Sequence, residues 1–342
     1  MQQEHFSFST KNYTGYFNAD FSFIEKLVPK ENAVILTDKN IAVHYSHKFI
    51  SWRTIVIEPG ESNKQQATAD FIIGELIRLK ADRDTIILGV GGGVITDITG
   101  YVASIFMRGI KFALVPTTIL AMVDAAVGGK NGVDVGIYKN LVGTIKHPEF
   151  LFYDYSFLRT LPDTEWVNGF AEIIKHACIQ DNKLFGWLER QTLHALQSSV
   201  DIIDELIRRN VEIKYNIVSG DEFEKGDRRL LNFGHTLGHA IENIYKLSHG
   251  NAVSIGMVAA CAISEEMNNF PAADKLRVIS LLQKYQLPAT IDFDKEKIWE
   301  VLLMDKKKAG NKINFVLLTD IGHGVVLPIA LNQLKELFSI CL

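Results

Sequence analysis

The chain has 342 residues, 47% of them hydrophobic and 22% charged, the composition of a folded protein long enough to divide into two domains. Its 36 Lys+Arg against 40 Asp+Glu leave a net charge of −4, with neither the basic stripe of a nucleic-acid binder nor the polybasic cluster of a membrane-surface protein. Three widely spaced cysteines without a CxxC pair argue against a disulfide framework, and a start lacking the basic and apolar regions of a signal peptide predicts a soluble, cytoplasmic protein.

In chain order, β-branched runs at 33–37, 54–57, 85–90 and 111–115 predict strands, with helical periods over 62–80 and 94–107 between them. That alternation predicts an α/β layer with a mainly parallel sheet. The aromatic-rich segment 149–163 is the expected connection between domains. Beyond it the apolar period becomes helical over 164–180, 200–219, 235–247, 253–268 and 273–286, interrupted by one β-like run at 313–319. The expected architecture is an α/β, Rossmann-like domain over residues 1–161, followed by a mainly α-helical domain over 162–342.

The sharpest glycine feature is GVGGG at 89–93, after an apolar strand and before a helix. Absent side chains let phosphates approach the backbone, and a helix N-terminus offers N–H groups to an anion. The alternative is a tight strand-to-helix turn with no ligand; three glycines in a row favour a dinucleotide over it. The motif is not the usual GxGxxG, because Val94 and Thr96 stand where a glycine is needed. The acidic residue expected after it is replaced by Asp38, at the end of the 33–37 strand, as fit to be a turn residue as to receive a ribose. A P-loop fails as well, since Lys130 is followed by Asn131.

The second constellation is NFGHTLGH at 232–239, followed by His249. His235 and His239 share a helix face, and His249 could close a metal or acid/base site with them. A zinc protease does not fit, since Thr236 stands where HExxH needs Glu. Glu172 and Lys175, one helical turn apart, read locally as an ordinary ion pair. Arg108, Lys130, Lys139, Lys214, Arg228 and Lys306 are uninformative singly.

With GGGVITD (91–97), PTTILAMVDAAVGGKNG (116–132), GFAEIIKH (169–176) and LNFGHTLGHAIE (231–242) in order, the chain resembles the 3-dehydroquinate synthase family from about Thr37 to residue 307. The resemblance implies NAD, one divalent metal (zinc first, cobalt possible on the same ligands) and a homodimer. It also implies conversion of 3-deoxy-D-arabino-heptulosonate 7-phosphate to 3-dehydroquinate and phosphate, in the shikimate route to aromatic amino acids. The implied metal ligands are Glu172, His235 and His249, which leaves His239 to proton transfer and substrate contact. The implied NAD contacts are Asp38, Asn40, Glu61, Lys64, Gly91, Gly92, Gly93, Asp97, Thr117, Thr118, Lys139, Phe157, Thr160 and Asn168. The implied substrate contacts are Asp124, Lys130, Asn140, Lys175, Lys214, Arg228, Asn232, His239 and Lys306, with Arg108 reaching in from the second subunit and Glu224 as a proton acceptor. Asn251 for the family's Glu after His249, Thr96 for Gly, and a short His235-to-His249 loop depart from the pattern. Another sugar-phosphate cyclase, such as one making 2-deoxy-scyllo-inosose, a metal-dependent polyol dehydrogenase and a non-catalytic NAD sensor are the competing expectations.

Overall fold

The computed structural model describes residues 1–136, 138–292, 294–306 and 311–341, without the side chains of 304–306 and 341. It divides into two compact units, Met1–Glu165 with Val200–Tyr215, and Trp166–Ser199 with Asn216–Leu342. Among the described residues no helix is long and apolar enough to cross a membrane.

The first unit runs β1 (Gln2–Ser7), β2 (Asn12–Phe17), α1 (Ile24–Leu27), β3 (Ala33–Asp38), α2 (Lys39–Tyr45), β4 (Arg53–Ile57), α3 (Gln66–Arg78), β5 (Ile86–Gly91), α4 (Gly93–Ile105), β6 (Lys111–Pro116), a hairpin of β7 (Lys130–Val135) and β8 (Tyr138–Ile145), and β9 (Phe150–Phe152). Among the described residues the main sheet has seven strands in the order β1-β2-β9-β6-β5-β3-β4. All its pairings are parallel except β1 with β2. β3 and β5 are continuous apolar runs, buried along their length except at Asp38, as inner strands covered on both faces must be. Ile35, Leu88, Val90, Ala113 and Val115 from these strands pack with Phe21, Phe49, Trp52 and Phe157 in the core.

The segment 149–163 is not simply a connection. Its aromatic residues are core material, and β9 inserts between β2 and β6 with Phe150, Leu151 and Phe152 all buried. The β1–β2 and β7–β8 hairpins add strands where none was expected.

The second unit carries α5 (Asp163–Gln180), α6 (Asn182–Leu188) and α7 (Leu193–Ser198). α8 (Val200–Gly220) follows, and most of it belongs to the first unit, where Tyr155 donates a 2.7 Å hydrogen bond to Asp204. Then come α9 (His235–Tyr245), α10 (His249–Asn268), α11 (Ala272–Lys284), α12 (Lys295–Lys306), the antiparallel pair β10 (Lys312–Asp320) and β11 (His323–Ala330), and α13 (Leu331–Cys341). The expected run at 313–319 is β10. Its partner β11 was not anticipated.

Candidate active site

In the first unit the chain changes direction across the sheet between β3 and β5, the switch point at which open α/β sheets bind ligands beyond the carboxyl ends of their strands. Gly91 ends β5, Gly92 caps α4 without a side-chain bond, and Gly93 opens the helix. Its first turn presents backbone N–H groups to that crevice. A Cβ on Gly92 would lie 3.0 Å from Thr118 Cγ2, so the turn has little room for a side chain. Asp38 ends β3 and caps α2, its carboxylate accepting from the Ile41 N–H at 3.0 Å, and burial raises its pKa. Asn40 follows in the exposed first turn of α2.

Lys64 is buried; its ammonium lies 2.5 Å from Asp97 and donates to Asn140 Oδ1 at 2.6 Å. Burial lowers its pKa, but Asp97 and Glu61 outweigh that and hold it above the ordinary value. Lys139 sits 3.7 Å from Glu61. Thr117 is buried and its N–H donates to Gly91 O at 3.0 Å, while Thr118 Oγ1 accepts from the Ala121 N–H. Thr160 donates to the Tyr45 hydroxyl. The Phe157 side chain is buried in the core, which leaves only its backbone to meet a ligand. Lys214 lies 2.7 Å from the Asp124 carboxylate and also donates to that residue's carbonyl. Lys130 is exposed at the start of β7, and Arg108 is exposed in the turn after α4.

The second unit brings three helices to one point. Gly234, at φ +78°, starts α9 in a conformation that glycine adopts without penalty. A Cβ on Gly256 would lie 1.9 Å from Gly234 O, so α9 and α10 meet backbone to backbone. At the start of α10 a Cβ on Gly250 would lie 2.4 Å from Asn168 O on α5, and the Gly250 N–H donates to Asn168 Oδ1 at 2.5 Å. These approaches set His249 Nε2 2.9 Å and His235 Nε2 3.3 Å from the same oxygen of Glu172.

One ligand atom from each of Glu172, His235 and His249 lies within 4.8 Å of the others. His235 Nδ1 is 3.1 Å from Phe233 O; donating there leaves Nε2 as the ligand nitrogen. His249 Nδ1 lies 3.6 Å from Glu242 Oε2. A fully buried carboxylate facing two imidazole nitrogens fits a divalent ion with one coordination position left over.

Lys175, 1% exposed, forms an ion pair with the other Glu172 oxygen. Burial pushes the Glu172 carboxyl up, but Lys175 and the two histidines override it and hold it well below the carboxylate range. His239 lies one turn along α9 from His235, with ring centroids 5.3 Å apart. Arg228, 2% exposed, donates from Nη1 to Glu222 O at 2.5 Å. Asn232 donates to Glu224 Oε1 at 2.9 Å, and Glu224 itself has φ +56°. Lys306 ends α12, and its side chain lies outside the described residues. The residue that spacing did not single out is Glu242; its position seven residues after His235, on the same helix face, was the available signal.

A parallel α/β unit with a glycine turn, and a helical unit with a buried carboxylate and two histidines, are the parts of a sugar-phosphate cyclase. The structure has a TM-score of 0.88 to 2-deoxy-scyllo-inosose synthase, solved with carbaglucose-6-phosphate, NAD+ and Co2+, at 26% identity and 100% coverage of both chains. It has the same TM-score to the 2-epi-5-epi-valiolone synthase of Streptomyces hygroscopicus, solved with NAD+ and Zn2+; at 24% identity and 98% coverage of both chains, that likeness shows the fold.

Within that class the chain belongs to the 3-dehydroquinate synthase family. The family models "3-dehydroquinate synthase N-terminal" and "3-dehydroquinate synthase C-terminal" match residues 54–168 and 169–308. A relative in Clostridium beijerinckii, named 3-dehydroquinate synthase, is 38% identical over 88% of this chain and 89% of its own length. The chain is an enzyme of the carbon–oxygen lyase class.

Proposed function

We propose that this chain converts 3-deoxy-D-arabino-heptulosonate 7-phosphate to 3-dehydroquinate and phosphate, with NAD at the β3–β5 crevice and a divalent ion, zinc first, on Glu172, His235 and His249. The observation that carries the reading is the buried carboxylate with two imidazole nitrogens within 3.3 Å of one of its oxygens. When bound, NAD would supply hydride removal and return at a secondary alcohol, with no net oxidation, and the ion would supply Lewis-acid polarisation of that alcohol's oxygen.

The chain's own groups do the rest. Gly91, Gly92 and Gly93 with the α4 N-terminus receive the cofactor's pyrophosphate, Asp38 receives a ribose, and Lys64, Asp97 and Lys139 line that side. Elimination expels a phosphate dianion while a proton leaves the neighbouring carbon. Lys130, Asn140, Asn232, His239 and Arg108 are the cations and amides assigned to hold that dianion. His239 and Glu224 are the proton carriers. Lys214 and Arg228 take the substrate carboxylate, and holding one conformer favours the closing aldol step.

Arg108 acts in the partner subunit of a homodimer. Supporting this, Ile105 and Met107 beside it are 40% and 42% exposed, and Leu141 on β8 is 60% exposed, apolar surface of the kind that association covers.

The test is phosphate release from the heptulosonate 7-phosphate with NAD present, with and without a chelator, while NADH absorbance is followed. Release that needs metal and NAD but accumulates no NADH supports the reading. No release would move the substrate to another sugar phosphate, and NADH rising with substrate loss would mark a dehydrogenase.

A further inference from the structure

The turn that carries Arg108 is held in an unusual backbone state. Met107, Arg108 and Gly109 have φ of +48°, +67° and +117° in succession, and a left-handed conformation at two non-glycine residues persists only where the surroundings impose it. Arg108 supplies none of that constraint from its own side chain: it is exposed and makes no hydrogen bond or ion pair among the described residues. The constraint comes from the residue just after β8. Lys146 Nζ donates to Ile110 O at 2.7 Å and to Ala103 O at 3.1 Å, the carbonyls on either side of the turn. Ala103 O also accepts the Ile110 N–H at 2.8 Å, which closes the loop at its base. A Cβ on Gly109 would lie 3.6 Å from the same ammonium, and the ring of Phe112 lies 5.9 Å beneath it. The neighbouring strand residue Thr144 meets Ser104 at 2.9 Å, so the end of β8 grips the end of α4 at two points.

We propose that Lys146 is a positioning residue for phosphate recognition: by bridging the two carbonyls at the base of the turn, it holds the backbone from which Arg108 reaches the substrate phosphate. The inference rests on the reading of Arg108 given above. Lys146 itself touches no substrate. Half-burial, with Lys11 nearby, lowers its pKa, the mark of an ammonium partly withdrawn from water.

The experiment is a double-mutant cycle on the full-length protein with NAD and zinc saturating. KM for the heptulosonate 7-phosphate and kcat are measured for Lys146→Met, Arg108→Ala and the pair, with NAD affinity and melting temperature as controls. Lys146→Met is expected to raise KM about five- to tenfold with NAD affinity unchanged, and the pair to be no worse than Arg108→Ala alone, because the two act as one unit. Lys146→Arg, which can still donate to both carbonyls, restores KM. Lys146→Gln, which keeps a donor but loses reach, gives the same cycle should the Met variant be insoluble. Additive effects, or an unchanged KM in Lys146→Met beside an impaired Arg108→Ala, overturn the positioning role alone. An unimpaired Arg108→Ala overturns the reading of Arg108 and the inference with it.

Discussion

Replacing Lys175 by Met removes the nearest cation from a fully buried carboxylate while keeping the volume of the side chain. Lys175 is 1% exposed and Glu172 0% exposed, and breaking a buried pair by deleting one partner costs about 3–5 kcal/mol. His235 and His249 remain beside Glu172 and take up part of that cost, so about 3 kcal/mol is the figure for the metal-free protein. For a unit of this size that is a fall in Tm of roughly 6–12 °C. A divalent ion on Glu172 supplies positive charge to the same carboxylate, so the deficit should shrink to about 1 kcal/mol, or roughly 2–4 °C, with the metal bound. Linkage then fixes a third quantity. A destabilisation about 2 kcal/mol smaller in the loaded protein means that the variant binds zinc roughly thirtyfold more tightly than the parent. Thermal melts with EDTA and with excess zinc, and zinc affinity by chelator competition, measure all three. A variant that melts equally low in both states and binds zinc no more tightly would refute the electrostatic account of the Glu172 cluster.

Gly92→Ala isolates the steric part of the nucleotide turn. Gly92 has φ −74°, which alanine adopts freely, so any effect comes from the added methyl against Thr118; NAD affinity measured by fluorescence titration should fall about tenfold or more, worth roughly 1.4 kcal/mol, with zinc content unchanged. Arg228→Ala should raise KM for the substrate with NAD binding intact, and loss of both would remove Arg228 from the carboxylate role. In the EDTA-treated protein His249 has its pKa raised to about 9, because its hydrogen bonds and attraction to Glu172 and Glu242 outweigh burial. A raised histidine pKa contributes stability that is complete below 6.5 and is lost as pH climbs through 9. Tm should therefore fall across that window in the metal-free protein and not in a His249→Asn variant. Since the ion displaces that proton, zinc binding at pH 7.5 should release about one proton, read by calorimetry in buffers of differing ionisation enthalpy; no release would contradict the shift.

The long helices and inner strands were legible because burying one face imposes a period on the sequence. The expected helices over 164–180, 200–219 and 253–268 correspond to α5, α8 and α10, and the run at 85–90 to β5. Two of the missed elements, β1 and β8, lack that imprint. β8 has no buried residue along its length, so nothing selects an alternating pattern, and β1 buries only Phe6.

The site divides along the same line. Glycines before a helix and histidines four apart are local signals with a local physical cause. The choice of histidines is not local. Spacing alone offered three, and which two face the carboxylate depends on α9 and α10 touching at Gly234 and Gly256 and on α10 seating against α5 at Gly250. Those contacts join positions far apart in the chain, and no window of sequence contains them. The Glu172–Lys175 pair shows the difference most directly, since the ordinary helix ion pair expected from i, i+3 spacing does form. On an exposed helix such a pair is worth a few tenths of a kcal/mol. Sealed under α9 and α10, the same two side chains become a buried, ionised carboxylate beside two imidazoles, and burial is what turns a routine pair into a candidate metal ligand.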